Sequence, residues 1–309
     1  MALFAPDYYK DFKCIASLCR HSCCEGWQIN IDEEAFYRYR ALEGEMGRKI
    51  NAAVKETDGC AHFVLQNGKC PFLNGEGLCD IILSLGEGYL CQSCTDHPRF
   101  RSFLRSRTEI GLGLSCEEAA RLILTRKKKT SLICIEKGES ERPRRFEKWL
   151  LREREALLSL AEDEEKTMAL RIEAMLSYAK RPRTLLEGER WIPHYRRLER
   201  LDTMFDEWIA LWEKSPDGMP TGLGREGGKL LSYFIYRHST LARSKRDFRV
   251  RIAFCALCTR HVLAMTAARG GTPEVLLDTA RLYSSEIEYS EENTALLMKE
   301  IRHRKHKKG

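Results

Sequence analysis

The residues of this chain most able to do chemistry are its cysteines. Ten of the 13 lie between Cys14 and Cys116, and the 120 residues that follow Cys134 contain none. In a reducing compartment such a cluster is typical of metal ligation or redox chemistry rather than of disulfides. Four thiols fall within the eleven residues from Cys14 to Cys24, and a turning loop with such short gaps can wrap its ligands around one point.

A second group of cysteines comprises Cys70, Cys79, Cys91 and Cys94. The two-residue gap between Cys91 and Cys94 is that of a metal-binding knuckle. The segment 74–77, Asn-Gly-Glu-Gly, predicts a turn between Cys70 and Cys79. Unrelated buried thiols are the alternative, but the coincidence of two compact groups favours a metal centre.

The spacing leaves the kind of centre open, because zinc and iron–sulfur clusters both accept four thiolates. Two zinc sites would use eight cysteines, whereas one four-iron cluster would use four and leave the others structural. The gaps between Cys14 and Cys24 are four, three and zero residues. They do not form the Cys-x3-Cys-x2-Cys loop of radical S-adenosylmethionine enzymes, so radical chemistry of that kind is disfavoured.

Cys116 is predicted to lie at the start of a helix. Residues 109–114 predict a short extended segment, and Ser115 with Glu118 has the spacing of a capping box. This places Cys116 in the first helical turn, where the helix dipole favours a thiolate, as a metal ligand requires.

The sequence divides into two regions near residues 126–143: the first is rich in cysteine and has short segments, and the second has long stretches with helical periodicity. We expect residues 1–134 to form a Cys-rich metal- or iron–sulfur-binding region with short irregular or strand segments. Residues 135–309 are expected to form a helical bundle with a basic C-terminal tail, which makes the fold class mainly α.

The helices of the second region are predicted from apolar stripes with helical spacing. The stripes are Phe146–Ala161, Met168–Ala179 ended by Pro182, Leu198–Trp212, Leu230–Leu241, Val250–Met265 and Leu276–Ile287, with a short helix near Asn293–Arg302. Cys255 and Cys258 fall within one stripe and are interpreted as buried apolar residues. His238 and His261 lie on apolar faces and are interpreted as core histidines.

Composition and charge restrict the class of protein. The chain is 43% hydrophobic and 31% charged, as in folded soluble proteins. No apolar run approaches the roughly 18–20 residues that cross a bilayer, and residues 1–7 lack the features of a secretory signal. We therefore expect a cytoplasmic protein without a membrane partner.

The formal net charge is +7, and basic runs occupy residues 126–129 and 302–308. Such runs are usually solvated. Since the sequence has no nucleic-acid-binding signature, we do not expect a nucleic-acid partner.

The cysteine motifs, taken with their neighbours, resemble one known family. They are Phe12-Lys13-Cys14-Ile15-Ala16, Cys23-Cys24-Glu25-Gly26-Trp27-Gln28-Ile29-Asn30-Ile31-Asp32, Cys70-Pro71-Phe72-Leu73, Gly77-Leu78-Cys79-Asp80-Ile81, Tyr89-Leu90-Cys91-Gln92-Ser93-Cys94, His97-Pro98-Arg99 and Leu114-Ser115-Cys116-Glu117-Glu118. In this order they resemble the flagellin lysine N-methylase family, densely over residues 8–125 and thinly afterwards. The resemblance overlaps a broader class of Cys-rich zinc- or iron-chelating domains.

The resemblance implies an enzyme, a protein-lysine N-methyltransferase. It would transfer methyl groups from S-adenosylmethionine to lysine side chains of flagellin or a related protein, with an iron–sulfur cluster bound by cysteines. A 4Fe-4S cluster is favoured and zinc is the alternative. The implied ligands are drawn from Cys14, Cys19, Cys23, Cys24, Cys70, Cys79, Cys91, Cys94 and Cys116. A non-enzymatic metal-chelating or redox-sensing module using the same thiols is the rival interpretation.

Methylation requires a neutral lysine amine. With a reference pKa near 10.4, holding that amine neutral at pH 7 costs about 4–5 kcal/mol, so the site must desolvate it or supply a base. Candidate bases beside the cysteine motifs are Asp96, Glu109, Glu117 and Glu118. Candidate cofactor-binding residues are His97 and Arg99. Each of these residues is also an ordinary capping or surface group.

Overall fold

The computed structural model describes residues 1–57 and 59–303. Its internal contacts divide the chain into two compact units. One, here called the cysteine-rich unit, is Lys13–Arg99; the other, here called the helical unit, joins Met1–Phe12 to Phe100–Gly309. The composition of the sequence predicts a boundary between two regions near residues 126–143. The contacts instead place the boundaries between the units at the two ends of the cysteine-rich unit. Most of the basic tail, residues 304–309, lies outside the described residues.

Seven short strands form two sheets within the described ranges. They are β1 (Leu3–Pro6), β2 (Asn30–Ile31), β3 (Val54–Thr57), β4 (Cys60–Phe63), β5 (Arg99–Phe103), β6 (Thr108–Leu112) and β7 (Leu132–Glu136). One sheet has the order β2-β4-β3 and the other β5-β6-β1-β7. The predicted extended segment before Cys116 is confirmed as β6.

Helices make up most of the described chain and confirm a mainly α fold. They are α1 (Glu33–Arg40), α2 (Gly44–Ala53), α3 (Asp80–Leu85), α4 (Gln92–Asp96), α5 (Glu117–Leu124), α6 (Arg145–Ala161), α7 (Met168–Ala179), α8 (Ile192–Tyr195), α9 (Met204–Glu213), α10 (Gly224–Ser239), α11 (Lys245–Ala268), α12 (Pro273–Glu288) and α13 (Glu291–His303).

The cysteine-rich unit is built around its small antiparallel sheet. β4 pairs with both β2 and β3, with Asn30 opposite His62 and Val54 opposite Phe63. Asp32 caps α1, because its Oδ1 accepts the Ala35 N–H at 2.9 Å. These elements enclose a compact apolar core that contains two candidate ligands. The core residues are Ile29, Ile31, Ala35, Tyr39, Ile50, Phe63, Cys70, Phe72, Ile81 and Cys91.

The second sheet brings together strands that are distant in sequence. β1 pairs in parallel with β6, with Leu3 opposite Thr108, and antiparallel with β7, with Pro6 opposite Leu132. Ala5 in β1 is completely buried. Residues 1–12 therefore belong to the helical unit even though the cysteine-rich unit follows them directly in the chain.

α11 forms the centre of the helical unit. By length and composition this helix alone, among the described residues, could cross a membrane, with a mean hydropathy of 1.3 over its best 18 residues. However, 83% of that window is buried inside the protein, as expected of a core helix. Cys255, Cys258 and His261 are fully buried along it, which confirms that they are core residues.

Most of the predicted helical stripes are confirmed, and the stripe that began at Leu198 was predicted too long. Helix α9 begins only at Met204. The reason is the buried carboxylate of Glu286, whose Oε1 accepts the N–H groups of Leu201 at 3.1 Å and Asp202 at 2.5 Å. Because those donors bond to a side chain from α12, the chain ahead of α9 takes an irregular path.

Candidate metal centre

Cys24 and Cys70 are held side by side through their backbones. The Cys70 N–H donates to the Cys24 carbonyl at 2.7 Å, and the Gly26 N–H donates to the Gly68 carbonyl at 2.9 Å. Between these bonds, Lys69 and Glu25 form an ion pair at 2.9 Å. The first and second cysteine groups of the sequence therefore meet along a short antiparallel contact.

Cys79 is positioned by the predicted turn. The Asn74 Oδ1 accepts the N–H groups of Glu76 and Leu78, each at 3.0 Å, and Gly77 takes a φ of +76° that favours glycine. A bridge between Leu73 and Cys79 closes the turn. The chain then enters α3 with Cys79 as its N-terminal capping residue.

Cys91 and Cys94, the pair with the spacing of a metal-binding knuckle, lie close together at the start of α4. Cys91 caps α4 and Cys94 lies within it, and their Sγ atoms are 3.6 Å apart. Asp32 fixes the entry to α4, because its Oδ2 accepts the Gln92 N–H at 2.6 Å. The sequence motif that contains Asp32 indicates no role for it; in the structure its one carboxylate both caps α1 and holds the start of α4.

Five thiols are neighbours in this unit: Cys24, Cys70, Cys79, Cys91 and Cys94. Cys70 and Cys91 are buried and the other three are half-buried, and none of the five is bridged in the described structure. They are close enough for their charges to affect one another. Cys24, Cys79 and Cys91 each raise the pKa of Cys70, and Cys24, Cys70 and Cys91 each raise that of Cys94.

The pKa values within this thiol cluster differ in direction. A hydrogen bond from Cys23 outweighs burial and lowers the pKa of Cys24 to about 7. The hydrogen bond between Cys91 and Cys94 likewise lowers the pKa of Cys91, while the same bond and burial raise that of Cys94. Burial raises the pKa of Cys70 to about 12. Without a cation, such a cluster resists carrying several thiolates at once.

Backbone N–H groups close to several of these sulfurs affect their ionisation. Burial raises the pKa of Cys70 and of Cys79, and the N–H groups of Phe72, Ile82 and Ile81 act in the opposite direction. The N–H groups of Cys94 and Ser93 help to lower the pKa of Cys91, while the Cys94 N–H donates its hydrogen bond to the Cys91 carbonyl at 3.0 Å. Nearby N–H groups stabilise a negative sulfur, so these surroundings suit thiolates that bind a cationic metal.

The donor set fits a thiolate-bound metal. A tetrahedron with 2.3 Å zinc–sulfur bonds has sulfurs about 3.8 Å apart, close to the 3.6 Å between Cys91 and Cys94. Among residues 1–57 and 59–303, no three His, Cys, Asp or Glu side chains already stand at metal-ligating geometry. Metal coordination would have to bring the remaining thiols closer together.

The other predicted ligands are spread over both units. Cys14 is exposed and its Sγ accepts the Ala16 N–H at 3.4 Å, while Cys19 is half-buried and Cys23 exposed. The Cys23 carbonyl accepts the Trp27 Nε1–H at 2.8 Å. Cys116 belongs to the helical unit, where it packs against the apolar core.

The capping box predicted for α5 is wrong. Cys116, not Ser115, is the capping residue and makes no side-chain capping bond, and the Ser115 hydroxyl has no hydrogen-bond partner in the described chain. Glu118 instead binds Arg121 through both oxygens, at 2.6 and 2.7 Å. The ion pair competes for the carboxylate that the box requires.

Glu109 is the candidate base whose surroundings are most restrictive. It is 1% exposed and bonds Arg154 through both oxygens, at 2.6 and 2.7 Å, and Arg107 at 2.8 Å. Burial raises its pKa, but the charges and hydrogen bonds of the two arginines lower it overall. A carboxylate stabilised in this way is a weak base.

The remaining candidates sit at the ends of short helices. Asp96 is the last residue of α4, and Glu117 is the first residue of α5. His97 stacks on Trp27 with ring centroids 6.2 Å apart. Burial, with a smaller effect of Arg99, lowers the pKa of His97 to about 4, so the ring is neutral at pH 7. The roles predicted for Asp96, Glu117, His97 and Arg99 are not tested by the structure and stay predictions.

Comparison with known proteins confirms the resemblance seen in the sequence. A stretch of 126 residues, 38% of this chain, is 29% identical to proteins named lysine-N-methylase in Salmonella choleraesuis and Salmonella typhimurium. The same share of the chain is 29% identical to the flagellar biosynthetic protein FliU of Salmonella muenchen. This chain is similar to lysine-N-methylases.

The similarity is partial in both directions. The matched stretch covers 31% of each lysine-N-methylase and 75% of FliU. No family model matches the chain, and no solved structure matches it either.

Proposed function

We propose that this protein is an S-adenosylmethionine-dependent methyltransferase. It transfers methyl groups to lysine side chains of flagellin or a related protein in the cytoplasm. The observation that carries this proposal is the similarity to lysine-N-methylases. The gathering of five thiols that are distant in sequence supports the accompanying metal centre.

The centre would be held by Cys24, Cys70, Cys79, Cys91 and Cys94. The resemblance adds Cys14, Cys19, Cys23 and Cys116 as further candidates. When bound, a thiolate-ligated metal supplies positive charge, and an iron–sulfur cluster additionally supplies a redox-active group. The resemblance favours a 4Fe-4S cluster, whereas the short distance between Cys91 and Cys94 favours a single tetrahedral ion such as zinc.

The chain's own carboxylates would handle the proton of the substrate amine. Asp96 and Glu117 remain the candidate bases, since Glu109 and Glu118 are committed to arginine partners. Asp96 lies two residues beyond the knuckle, so metal binding at Cys94 would fix its backbone. His97 and Arg99 follow it and remain the candidate residues for the methyl donor. The neutral His97 ring would not repel a cationic sulfonium.

Mass spectrometry of an acceptor protein tests the activity. Purified protein is incubated with S-adenosylmethionine and flagellin, and peptides are searched for lysines heavier by 14 Da per methyl group. We expect methylated lysines that require both the enzyme and the methyl donor. Flagellin without added enzyme is the control. Unmodified flagellin with a metal-loaded, folded sample would refute the proposal and favour the rival metal-binding module.

Metal analysis distinguishes the two centres. The protein is purified without oxygen, and iron, zinc and acid-labile sulfide are measured together with absorbance near 400 nm. Four irons with sulfide per chain would establish the four-iron cluster, and zinc without sulfide would establish the single-ion site. A protein with neither metal, after reconstitution with both, would contradict a metal centre.

A further inference from the structure

The helical unit contains a cavity of about 620 Å³. This volume lies within the range of about 300–1,000 Å³ that is usual for small-molecule sites. Its wall includes Tyr8 near β1, Arg154 and Leu158 on α6, and Lys229 and Ser232 on α10. The proposed methyl transfer makes no use of these residues.

The wall of the cavity carries one positive charge more than the carboxylates that pair with it. Arg107, Arg154 and Lys229 line the cavity; Arg154 and Lys229 are only 1% and 3% exposed, and Arg107 is half-buried. Three cations share two carboxylates, because Glu109 bonds both arginines and Glu162 bonds Lys229. A partly desolvated charge without a counter-ion of its own is costly, so the cavity favours an anion.

The charges at the rim do not cancel this excess. Arg152, Lys129 and Glu155 lie there, and Arg152 is paired with Glu153 at 2.8 Å. Lys129 and Glu155 offset each other. The single surplus positive charge thus belongs to the wall of the cavity, where Arg107 is half-buried.

Ser232 supplies a hydrogen-bond donor that nothing in the described chain uses. It lines the cavity, is 4% exposed, and its Oγ finds no partner among residues 1–57 and 59–303. A buried hydroxyl without a partner is destabilising and calls for one. Lys229 lies three residues earlier on the same face of α10. Its ammonium donates to Glu162 and to the Lys128 carbonyl, which leaves one of its three donors available.

We propose that this cavity binds a small organic molecule with one carboxylate or phosphate group and an apolar body. The anionic group takes the hydrogen bonds of Lys229 and Ser232, and the body packs against Tyr8, Ile123 and Leu158, which also line the cavity. S-adenosylmethionine has a net positive charge, which the surplus cation opposes. The cavity is therefore a ligand site separate from that of the methyl donor.

Calorimetric titration of the full chain with matched probes tests the site. Adenosine 5′-monophosphate is compared with adenosine, and benzoate with benzamide, so that each anion has a neutral counterpart of the same shape. We expect one or both anions to bind at least tenfold more tightly than their counterparts, and the pair that responds identifies phosphate or carboxylate as the preferred group.

Two serine variants locate the binding. Ser232→Ala removes the hydroxyl and should weaken binding of the anion about tenfold. Ser232→Leu also places an apolar side chain where the anionic group would lie, and it should abolish binding. Ser239→Ala is the matched control, because Ser239 is also a fully buried serine of α10 without a described partner but does not line the cavity. Its affinity should equal that of the unmodified protein.

Three results would overturn the proposal. One is the absence of binding by every probe to the folded protein. Another is binding of the neutral counterparts, or of S-adenosylmethionine, as tight as that of the anions. The third is an equal loss of affinity in Ser232→Ala and Ser239→Ala. Circular dichroism of each variant confirms that the fold is retained before titration.

Discussion

The two units of this protein solve the problem of stability in different ways. The helical unit buries long apolar stripes, among them 16 of the 24 residues of α11. The cysteine-rich unit has a compact core of ten buried residues, and two of these, Cys70 and Cys91, are candidate metal ligands. Small cores of this kind commonly depend on a metal or on disulfides. The difference predicts that binding of the proposed metal is coupled to folding in the cysteine-rich unit and not in the helical unit.

Metal removal should produce the largest effect and should separate the units. Because ligands and core overlap, loss of the metal would expose backbone amides throughout residues 13–99, while α10 and α11 keep their protection. Hydrogen–deuterium exchange with mass spectrometry, before and after chelation, measures this directly.

Cys91→Ser with Cys94→Ser should reproduce that effect, and Cys60→Ser is the matched control. Cys60 is exposed at the start of β4 and lies outside the cysteine motifs. Equal loss of protection in both units, or no change in either, would remove the proposed contrast.

The second-largest loss of stability should follow from breaking the buried ion pair of Arg154 with Glu109, and it should affect the helical unit. Arg154→Met leaves Glu109 with Arg107 alone in an interior position. Removing one partner of a buried pair costs about 3–5 kcal/mol, which urea denaturation can measure. Metal content should stay unchanged.

The control for this prediction is Arg152→Met. Arg152 is an exposed residue of the same helix and pairs with Glu153, so its loss should cost less than about 1 kcal/mol. A smaller loss of unfolding free energy in Arg154→Met than in Arg152→Met would contradict the importance assigned to the buried pair.

A third prediction concerns the acid stability of the helical unit. Burial raises the pKa of Glu288, but the charge of Arg237 and the hydrogen bond from His238 outweigh it and lower the pKa to about 2. A lowered folded-state pKa contributes stability that is present above the ordinary pKa of about 4.3 and is lost as the pH falls towards 2.

Glu288→Gln should therefore flatten the loss of stability between pH 4.5 and pH 2, as followed by urea unfolding at successive pH values. Glu291→Gln, at the start of α13, serves as a control and should retain the steep loss. An unchanged acid profile in Glu288→Gln would assign that loss to other carboxylates.

The smallest effect is expected from Asp32. Asp32→Ala removes the cap of α1 and the bond to the Gln92 N–H at once. A lost cap costs about 1 kcal/mol, so the fold should survive while the knuckle loosens. We expect faster metal loss to a chelator, followed by colorimetric release assays. Glu33→Ala, the neighbouring residue in the first turn of α1, should leave the rate unchanged.

Periodicity predicted the helical unit well, because burial on a packed helix recurs every three to four residues. α6, α7, α11 and α12 follow their apolar stripes closely. The failure at Leu198 arose from Glu286, a residue far along the chain that takes backbone donors. No local pattern can reveal such a distant partner.

The spacing of residues in the sequence predicted that Cys91 and Cys94 lie close together and that a turn precedes Cys79, since both features are local. It did not predict that Cys116 belongs to the helical unit, because unit membership depends on which distant segments pair. The cavity beside Ser232 also could not be predicted from the sequence. Its lining comes from segments that are more than 200 residues apart, and each lining residue looks ordinary in its own segment.

The placement of β1 has a consequence for the order of events during synthesis. Its parallel and antiparallel partners end at Leu112 and Glu136, so this strand cannot join its sheet until the chain has grown past them. Residues 13–99 leave the ribosome before both partners, ahead of Glu136 by about 2–7 seconds at usual elongation rates. Insertion of the proposed metal would thus be possible on a nascent chain, while the helical unit is still incomplete.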